Sequence, residues 1–151
     1  KGSARRLETV AENEQAIAFY DFAHSPSKLK ATTSAVKAQF PTRKLIAVME
    51  LHTFSSLKKD FLPQYAGSMA AADEAFVYFD KHTIEHKRLE PISPEEVKQA
   101  FQSDNVRVFT DSDALFEELS KHTWKNANLL IMSSGNFSGK DIKSFARTQI
   151  Q

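Results

Sequence analysis

The sequence predicts an α/β fold: a three-layer sandwich with a mostly parallel sheet of about six strands. Two observations predict it. Short apolar runs alternate with helical patterns along almost the whole chain. The helical patterns open on recognisable caps, so strand-loop-helix units repeat, and right-handed crossovers then stack helices on both faces of the sheet.

The elements follow in order. Ala16 to Phe19 reads as a strand. Ser25 stands at an N-cap position and Pro26 at the first helical position. Leu29, Thr32 or Thr33, Val36 and Phe40 then share one face of the helix. Leu45 to Met49 is a buried strand. Lys58 to Ala72 carries Phe61, Tyr65 and Met69 at helical spacing and is predicted as a helix, with Pro63 near its start. Ala75 to Phe79 is the next strand. Ser93-Pro94-Glu95-Glu96 is a capping box with proline at the first position, backed by Val97, Ala100 and Phe101. Val106 to Phe109 is a strand. Asp111 caps a helix bearing Leu115 and Leu119. Leu129 to Met132 is the last strand, and Ile142, Phe145 and Ala146 mark the closing helix.

Composition limits what such a domain can be. The chain has 151 residues, 41% of them hydrophobic, enough for one domain that buries roughly 70% of its unfolded surface. A formal net charge of +1 gives no bulk basic field for nucleic acid. Cysteine is absent, which excludes disulfides and thiolate metal sites and fits a reducing, cytoplasmic location. No apolar run reaches the ~20 residues of a membrane-spanning helix. Lys1 to Arg6 starts without methionine and reads as the start of a piece cut from a longer, multidomain chain, with no weight placed on Gly2-Ser3.

In sheets of this kind, ligands bind beyond the carboxyl ends of the strands. Three post-strand loops therefore matter. The first is Tyr20-Asp21-Phe22-Ala23-His24-Ser25-Pro26. Asp21 offers an acceptor-only carboxylate suited to a ribose diol, and His24 a flat ring that can lie on a base. The alternative is that Asp21 closes a turn and His24 only packs or caps. The second loop, Glu50 to Ser56, carries polar groups toward a substrate, or is an ordinary solvated loop. The third, Ser133 to Asp141, resembles a phosphate-binding loop but departs from it. Only three residues separate Gly135 from Gly139, and Asp141 stands where a hydroxyl is required. It is not a true P-loop, though its backbone N–H groups can still hold a carboxylate or phosphate.

Two further segments are read more plainly. His82-Thr83-Ile84-Glu85-His86 has the spacing of a zinc motif. With Lys81, Lys87 and Arg88 around it and no third ligand in sight, it reads as a surface loop, and no metal site is expected. Arg5-Arg6 is either a solvated start or a hinge that reaches a phosphate from a neighbouring domain.

Together these pieces resemble the C-terminal domain of the Mur ligases, which build or recycle peptidoglycan peptides. Arg5-Arg6-Leu7-Glu8 looks like the family's link between central and C-terminal domains, so 1–8 is expected to be a linker remnant. Asp21 to Pro26 looks like its D-[YF]-[AG]-H-x-P motif. Leu45 to Glu50, Ala71 to Phe76, and Leu130 to Asn136 follow in the family's order. The nearest branch is the one that joins UDP-N-acetylmuramate to L-alanyl-γ-D-glutamyl-meso-diaminopimelate. Tyr20-Asp21 departs from that branch's Asp-Asp. Glu50-Leu51-His52-Thr53-Phe54-Ser55 departs from its Glu-Pro-Arg-Ser-Asn-Thr.

The resemblance implies a Rossmann-like domain of an ATP-dependent ligase. It implies that Asp21 binds the ATP ribose, that His24 lies against adenine, and that Arg6 and Arg5 approach the phosphates. Glu50, His52, Ser133, Gly135 and Asn136 would face an amino-acid or peptide acceptor. Mg²⁺ and the phosphate-binding loop would belong mainly to a central domain outside this chain. The domain alone would then be inactive, its partners being UDP-N-acetylmuramate, the acceptor, and the enzyme's own N-terminal and central domains. The competing expectation is a non-catalytic, receiver-like regulatory domain, with Asp21, Glu50 and Asp80 as an acidic cluster at strand ends.

Overall fold

Five apolar runs pair side by side as parallel strands: β2 (Ile17–Asp21), β3 (Lys44–Glu50), β4 (Glu74–Tyr78), β5 (Val106–Phe109) and β6 (Ala127–Met132). A sixth, β1 (Glu8–Glu12), adds antiparallel to β2 at the edge. These come from a computed structural model that describes residues 7–151. The strand order is β1-β2-β6-β3-β4-β5, so the last strand made enters between the second and third. Every residue of β6 is buried, as expected of a central parallel strand covered on both faces.

The period-two alternation of the strands sorts their side chains into two cores. Ala47, Met49, Val77, Leu130 and Met132 meet Leu29, Val36, Tyr65, Met69 and Phe101 on one face. Ile46, Val48, Phe76, Leu129 and Ile131 meet Leu115, Phe116, Leu119, Ile142 and Ala146 on the other. Helices α1 (Pro26–Gln39), α2 (Lys81–His86) and α3 (Pro94–Phe101) therefore cover one face, and α4 (Ser112–Ser120) and α5 (Ile142–Gln149) the other. The expected three-layer α/β sandwich with six strands is the fold formed. Each large apolar side chain taken fully out of water contributes about 1.5–3 kcal/mol.

The caps explain where helices start. Ser93 and Glu96 exchange the reciprocal capping-box bonds at 3.1 and 2.9 Å ahead of α3. Asp111 accepts from the Asp113 N–H ahead of α4, and Asp141 from the Ser144 N–H ahead of α5. Ser25 occupies the N-cap of α1 with extended backbone but gives no side-chain cap bond. Within α1 the buried face is Leu29, Thr33 and Val36; the Thr33 hydroxyl donates back to the Leu29 carbonyl at 2.8 Å.

Three expectations need correction. Lys58 to Ala72 is not a helix; it is an irregular stretch with one short 3-10 turn, Leu62–Tyr65, after another at Ser55–Leu57. Pro63 cannot donate a backbone bond, and Gly67 takes a left-handed φ of 77°, which ends any continuation. Phe61, Tyr65 and Met69 still reach the core from this path. The segment His82 to His86 lies in a helix, α2, rather than a loop, because Asp80 caps it by accepting from the His82 N–H and Ile84 anchors it. The strand β1 begins at Glu8, within the stretch 1–8 expected to be linker, while residues 1–6 lie outside the described residues.

For the site, register is what matters. Asp21 pairs with Met132, and Met132 with Met49. The carboxyl ends of β2, β6 and β3 are thus level, and the loops that follow them emerge side by side.

Candidate functional site

The loop after β2 is built by its own polar groups. Asp21 Oδ1 accepts from the Ala23 N–H at 2.7 Å, closing a tight turn. The other carboxylate oxygen has no hydrogen bond among the described residues. Burial pushes the Asp21 carboxyl above its ordinary value, against the opposing pull of the Ala23 N–H and Lys28. The His24 Nδ1–H donates to the Phe22 carbonyl at 3.0 Å. The ring meets Phe22 edge-on at 5.5 Å. From beneath, the Tyr65 hydroxyl donates to the His24 carbonyl at 2.9 Å. So Asp21 does close a turn, as one reading of this loop expects, through one of its two carboxylate oxygens. Beside it runs a groove of about 850 Å³, lined among others by Leu7, Asp21, His24, Lys28, Ala31 and Ala35. That volume suits a small-molecule ligand.

The second and third loops merge into one cluster. Glu50, at the end of β3, is only 2% exposed. Its Oε1 accepts from the Ser133 hydroxyl at 2.6 Å and from the Phe137 N–H at 3.0 Å. Its Oε2 lies 3.7 Å from His52 Nδ1. The Ser133 oxygen in turn accepts from the Gly135 N–H at 2.7 Å. A Cβ on Gly135 would stand 3.0 Å from both Glu50 Oε1 and the His52 ring, tighter than ordinary contact, so the carboxylate or the imidazole would have to give way to any larger residue here. Phe137 and Ser138 then take left-handed φ values of 55° and 59°. Phe137 is fully buried against Tyr78 and Phe116, and the Ser112 hydroxyl donates to its carbonyl at 2.7 Å.

The five residues expected to face an acceptor therefore occupy different depths. His52, with 45% of its side chain exposed, and Asn136 are on the outside. Glu50 and Ser133 lie beneath them. The Asn136 side chain accepts from the Gly139 N–H at 3.0 Å, so part of its polarity closes the turn.

The two clusters touch. The Ser133 N–H donates to the Asp21 carbonyl at 3.1 Å, and the Tyr20 hydroxyl to the Ser133 carbonyl at 2.9 Å. Tyr20 was not foreseen as part of the site. Its phenol is raised above the ordinary range by burial first, and then by Asp21, Glu50 and Glu8. Phe137 was also missed, as was Ser138, which donates to Asp80 at 3.0 Å beside the Tyr78 hydroxyl. The only hint of these in the sequence was the position of each near a strand end.

Other candidates fall elsewhere. In α2, His82 projects into solvent with its Nδ1 3.8 Å from Glu85. Among the described residues no three or more His, Asp or Glu side chains cluster as a metal would need, so the residues here do not fit Mg²⁺. The acidic trio of a receiver-like domain fails on the same ground, and Glu50 is committed to internal partners. The strand order also differs from the 2-1-3-4-5 of receiver proteins. Arg5 and Arg6 lie outside the described residues. No helix among the described residues is long and apolar enough to cross a membrane.

Comparison with known proteins follows the same lines. Residues 5–135 match the family described as "Mur ligase, glutamate ligase domain". Over 120 residues the chain is 30% identical to the UDP-N-acetylmuramate–L-alanine ligase of Cytophaga hutchinsonii, covering 80% of this chain and 25% of that protein. The chain thus spans about a quarter of the length of that relative. Among solved structures, it is similar to a domain assigned to a UDP-N-acetylmuramate:L-alanyl-γ-D-glutamyl-meso-diaminopimelate ligase of Haemophilus ducreyi. The TM-score is 0.62 at 25% identity, covering 89% of this chain and 92% of that one. A murein peptide ligase of Psychrobacter arcticus shares the fold, with a TM-score of 0.66 at 20% identity over 95% of this chain and 28% of that one.

Proposed function

This chain belongs to the Mur ligases, matching their glutamate ligase domain over residues 5–135, and from that membership we propose that it closes over the nucleotide and acceptor of an ATP-dependent ligase. The substrates in this reading are UDP-N-acetylmuramate and an amino acid or peptide with a free amine. The muramate carboxylate takes the γ-phosphoryl group of ATP, releasing ADP. The acceptor amine then attacks the acyl carbon, loses a proton, and phosphate leaves as the amide forms. Mg²⁺, when bound by a central domain outside this chain, would supply the positive charge that offsets the phosphate. The 151 residues alone are then inactive.

The residues of this chain bind and orient. Asp21 directs its second carboxylate oxygen, an acceptor, to the ribose hydroxyls. The His24 ring, which lines the groove, lies against the base. Arg6 and Arg5 approach the phosphates from the hinge. His52, Asn136 and the backbone of the turn at Gly135 face the acceptor, with Glu50 and Ser133 behind them. The observation that carries this reading is the junction of the two clusters. The bond from the Ser133 N–H to the Asp21 carbonyl extends the β2–β6 ladder and ties the two loops side by side at level strand ends. Such adjacency supports a reading in which two substrates are brought together.

The test is kinetic, in the longer enzyme that carries this domain. Asp21→Ala should raise the KM for ATP roughly ten- to a hundredfold, the value of one lost charge-assisted hydrogen bond of ~1.5–3 kcal/mol. His24→Ala should raise it less, and the acceptor KM should move little in either. Unchanged ATP kinetics in both variants would rule this reading out.

A further inference from the structure

We propose that Glu50 is a positioning residue: from beneath the acceptor-facing surface it fixes the turn after β6 and the His52 ring against each other, without touching the acceptor. The inference rests on the reading of that surface given above and changes the part that Glu50 plays in it.

Three observations carry it. Glu50 is almost wholly buried, so its carboxylate presents no oxygen to an incoming molecule. Its Oε1 is already taken by donors from the loop after β6, the Ser133 hydroxyl and the Phe137 N–H. Its Oε2 points to His52, the exposed member of the cluster, at 3.7 Å. A buried carboxylate needs such partners, and both hydrogen-bond donors come from the loop after β6, while the His52 ring, on the loop after β3, stands at 3.7 Å, beyond hydrogen-bond reach. Glu50 therefore holds the turn by hydrogen bonds and meets the His52 ring by close contact.

The shape of the turn supports this. Phe137 and Ser138 both sit in the left-handed region, which side chains other than glycine adopt at a cost. In this shape the Phe137 N–H reaches Glu50 Oε1 at 3.0 Å. At Gly135 turn, carboxylate and imidazole are packed tightly, and a Cβ there would stand 3.0 Å from both Glu50 and His52. A carboxylate that contacted the acceptor amine directly would need the opposite arrangement, an outward oxygen with few internal partners.

The test compares Glu50→Ala, Glu50→Gln and Gly135→Ala. A glutamine oxygen can still accept from Ser133 and Phe137, whereas alanine abandons both donors. In the longer ligase, Glu50→Ala and Gly135→Ala should raise the acceptor KM roughly ten- to a hundredfold, the penalty of a misplaced contact surface, with the ATP KM unchanged. Glu50→Gln should stay within about threefold of the parent, since its accepted bonds survive. In the 151-residue chain, amide hydrogen exchange at Phe137 should be slow in the parent and in Glu50→Gln and fast in Glu50→Ala. A glutamine variant as impaired as alanine, with Phe137 still protected, would mean direct contact with the acceptor and overturns the proposal. So does unchanged Phe137 exchange in Glu50→Ala, or lost protection with an unchanged acceptor KM. The ATP KM of Asp21→Ala reports separately on the broader reading, so the two failures are told apart.

Discussion

Tyr65→Phe removes a single oxygen and leaves the ring in place. The ring keeps its stack on Phe101 at 5.1 Å and its edge contact with Phe61 at 5.8 Å. What goes is the 2.9 Å bond from the hydroxyl to the His24 carbonyl, the tie between the loop after β2 and the core. A neutral hydrogen bond contributes about 0.5–1.5 kcal/mol net. The carbonyl is only part-buried, so water can replace the lost donor and the cost should stay near ~1 kcal/mol. In urea denaturation the midpoint should fall while the slope is unchanged. The thermal midpoint should drop by about 2–4 °C. Alkali adds a second signature. Burial raises the Tyr65 phenol well above its ordinary value, so the folded state holds the proton more tightly than the unfolded chain. That contribution is fully present below about pH 10 and is lost as pH rises further. The phenylalanine variant should lack this alkaline loss. Equal stability of parent and variant at neutral pH, or identical alkaline curves, would refute the role assigned to the hydroxyl.

Other consequences follow from named contacts. Burial alone would raise the Asp73 carboxyl, but the Leu45 N–H at 2.7 Å and Lys37 at 2.9 Å outweigh it and hold it below the ordinary range. Its stabilising contribution is present at neutral pH and lost as pH falls below the usual aspartate range. Asp73→Asn should therefore unfold more readily at neutral pH and show a flatter acid limb in pH-dependent denaturation. Ser93→Ala should cost about 1 kcal/mol by removing the capping box of α3, measured as a shift in the urea midpoint. Ser93→Thr should recover most of that loss, and an unaffected alanine variant would contradict the capping assignment.

Much of this fold was legible where local chemistry is decisive. The Ser93 box and the Asp111 cap marked helix starts because backbone donors need those partners wherever the chain goes, and Pro26 because it brings no N–H to leave unpaired. Lys58 to Ala72 misled because Phe61, Tyr65 and Met69 keep helical spacing for a different reason: each reaches the same core from an irregular path. The strand β1 was hidden because an edge strand that pairs on one side needs little apolar character. α2 was hidden because only Ile84 anchors it. At the site, Asp21 and His24 could be named from their loop. The contact of Asp21 with Ser133 could not, because it depends on β6 lying between β2 and β3, a pairing across more than a hundred residues. For the same reason Glu50 read as a surface contact rather than a buried clamp.

The placement of β6 also bears on how the domain is made. During synthesis, β2 and the β3–β4–β5 ribbon emerge long before the strand that belongs between them. Until Ala127 to Met132 arrives, both would-be neighbours carry open, apolar edges of the kind that template unwanted pairing. Closure over such a long sequence separation is slow by its topology. A ribosome that stalls before β6 would leave the sheet still in two pieces and its two half-sites strangers to each other. Such a product is a substrate for chaperones and proteases rather than a weaker version of the domain.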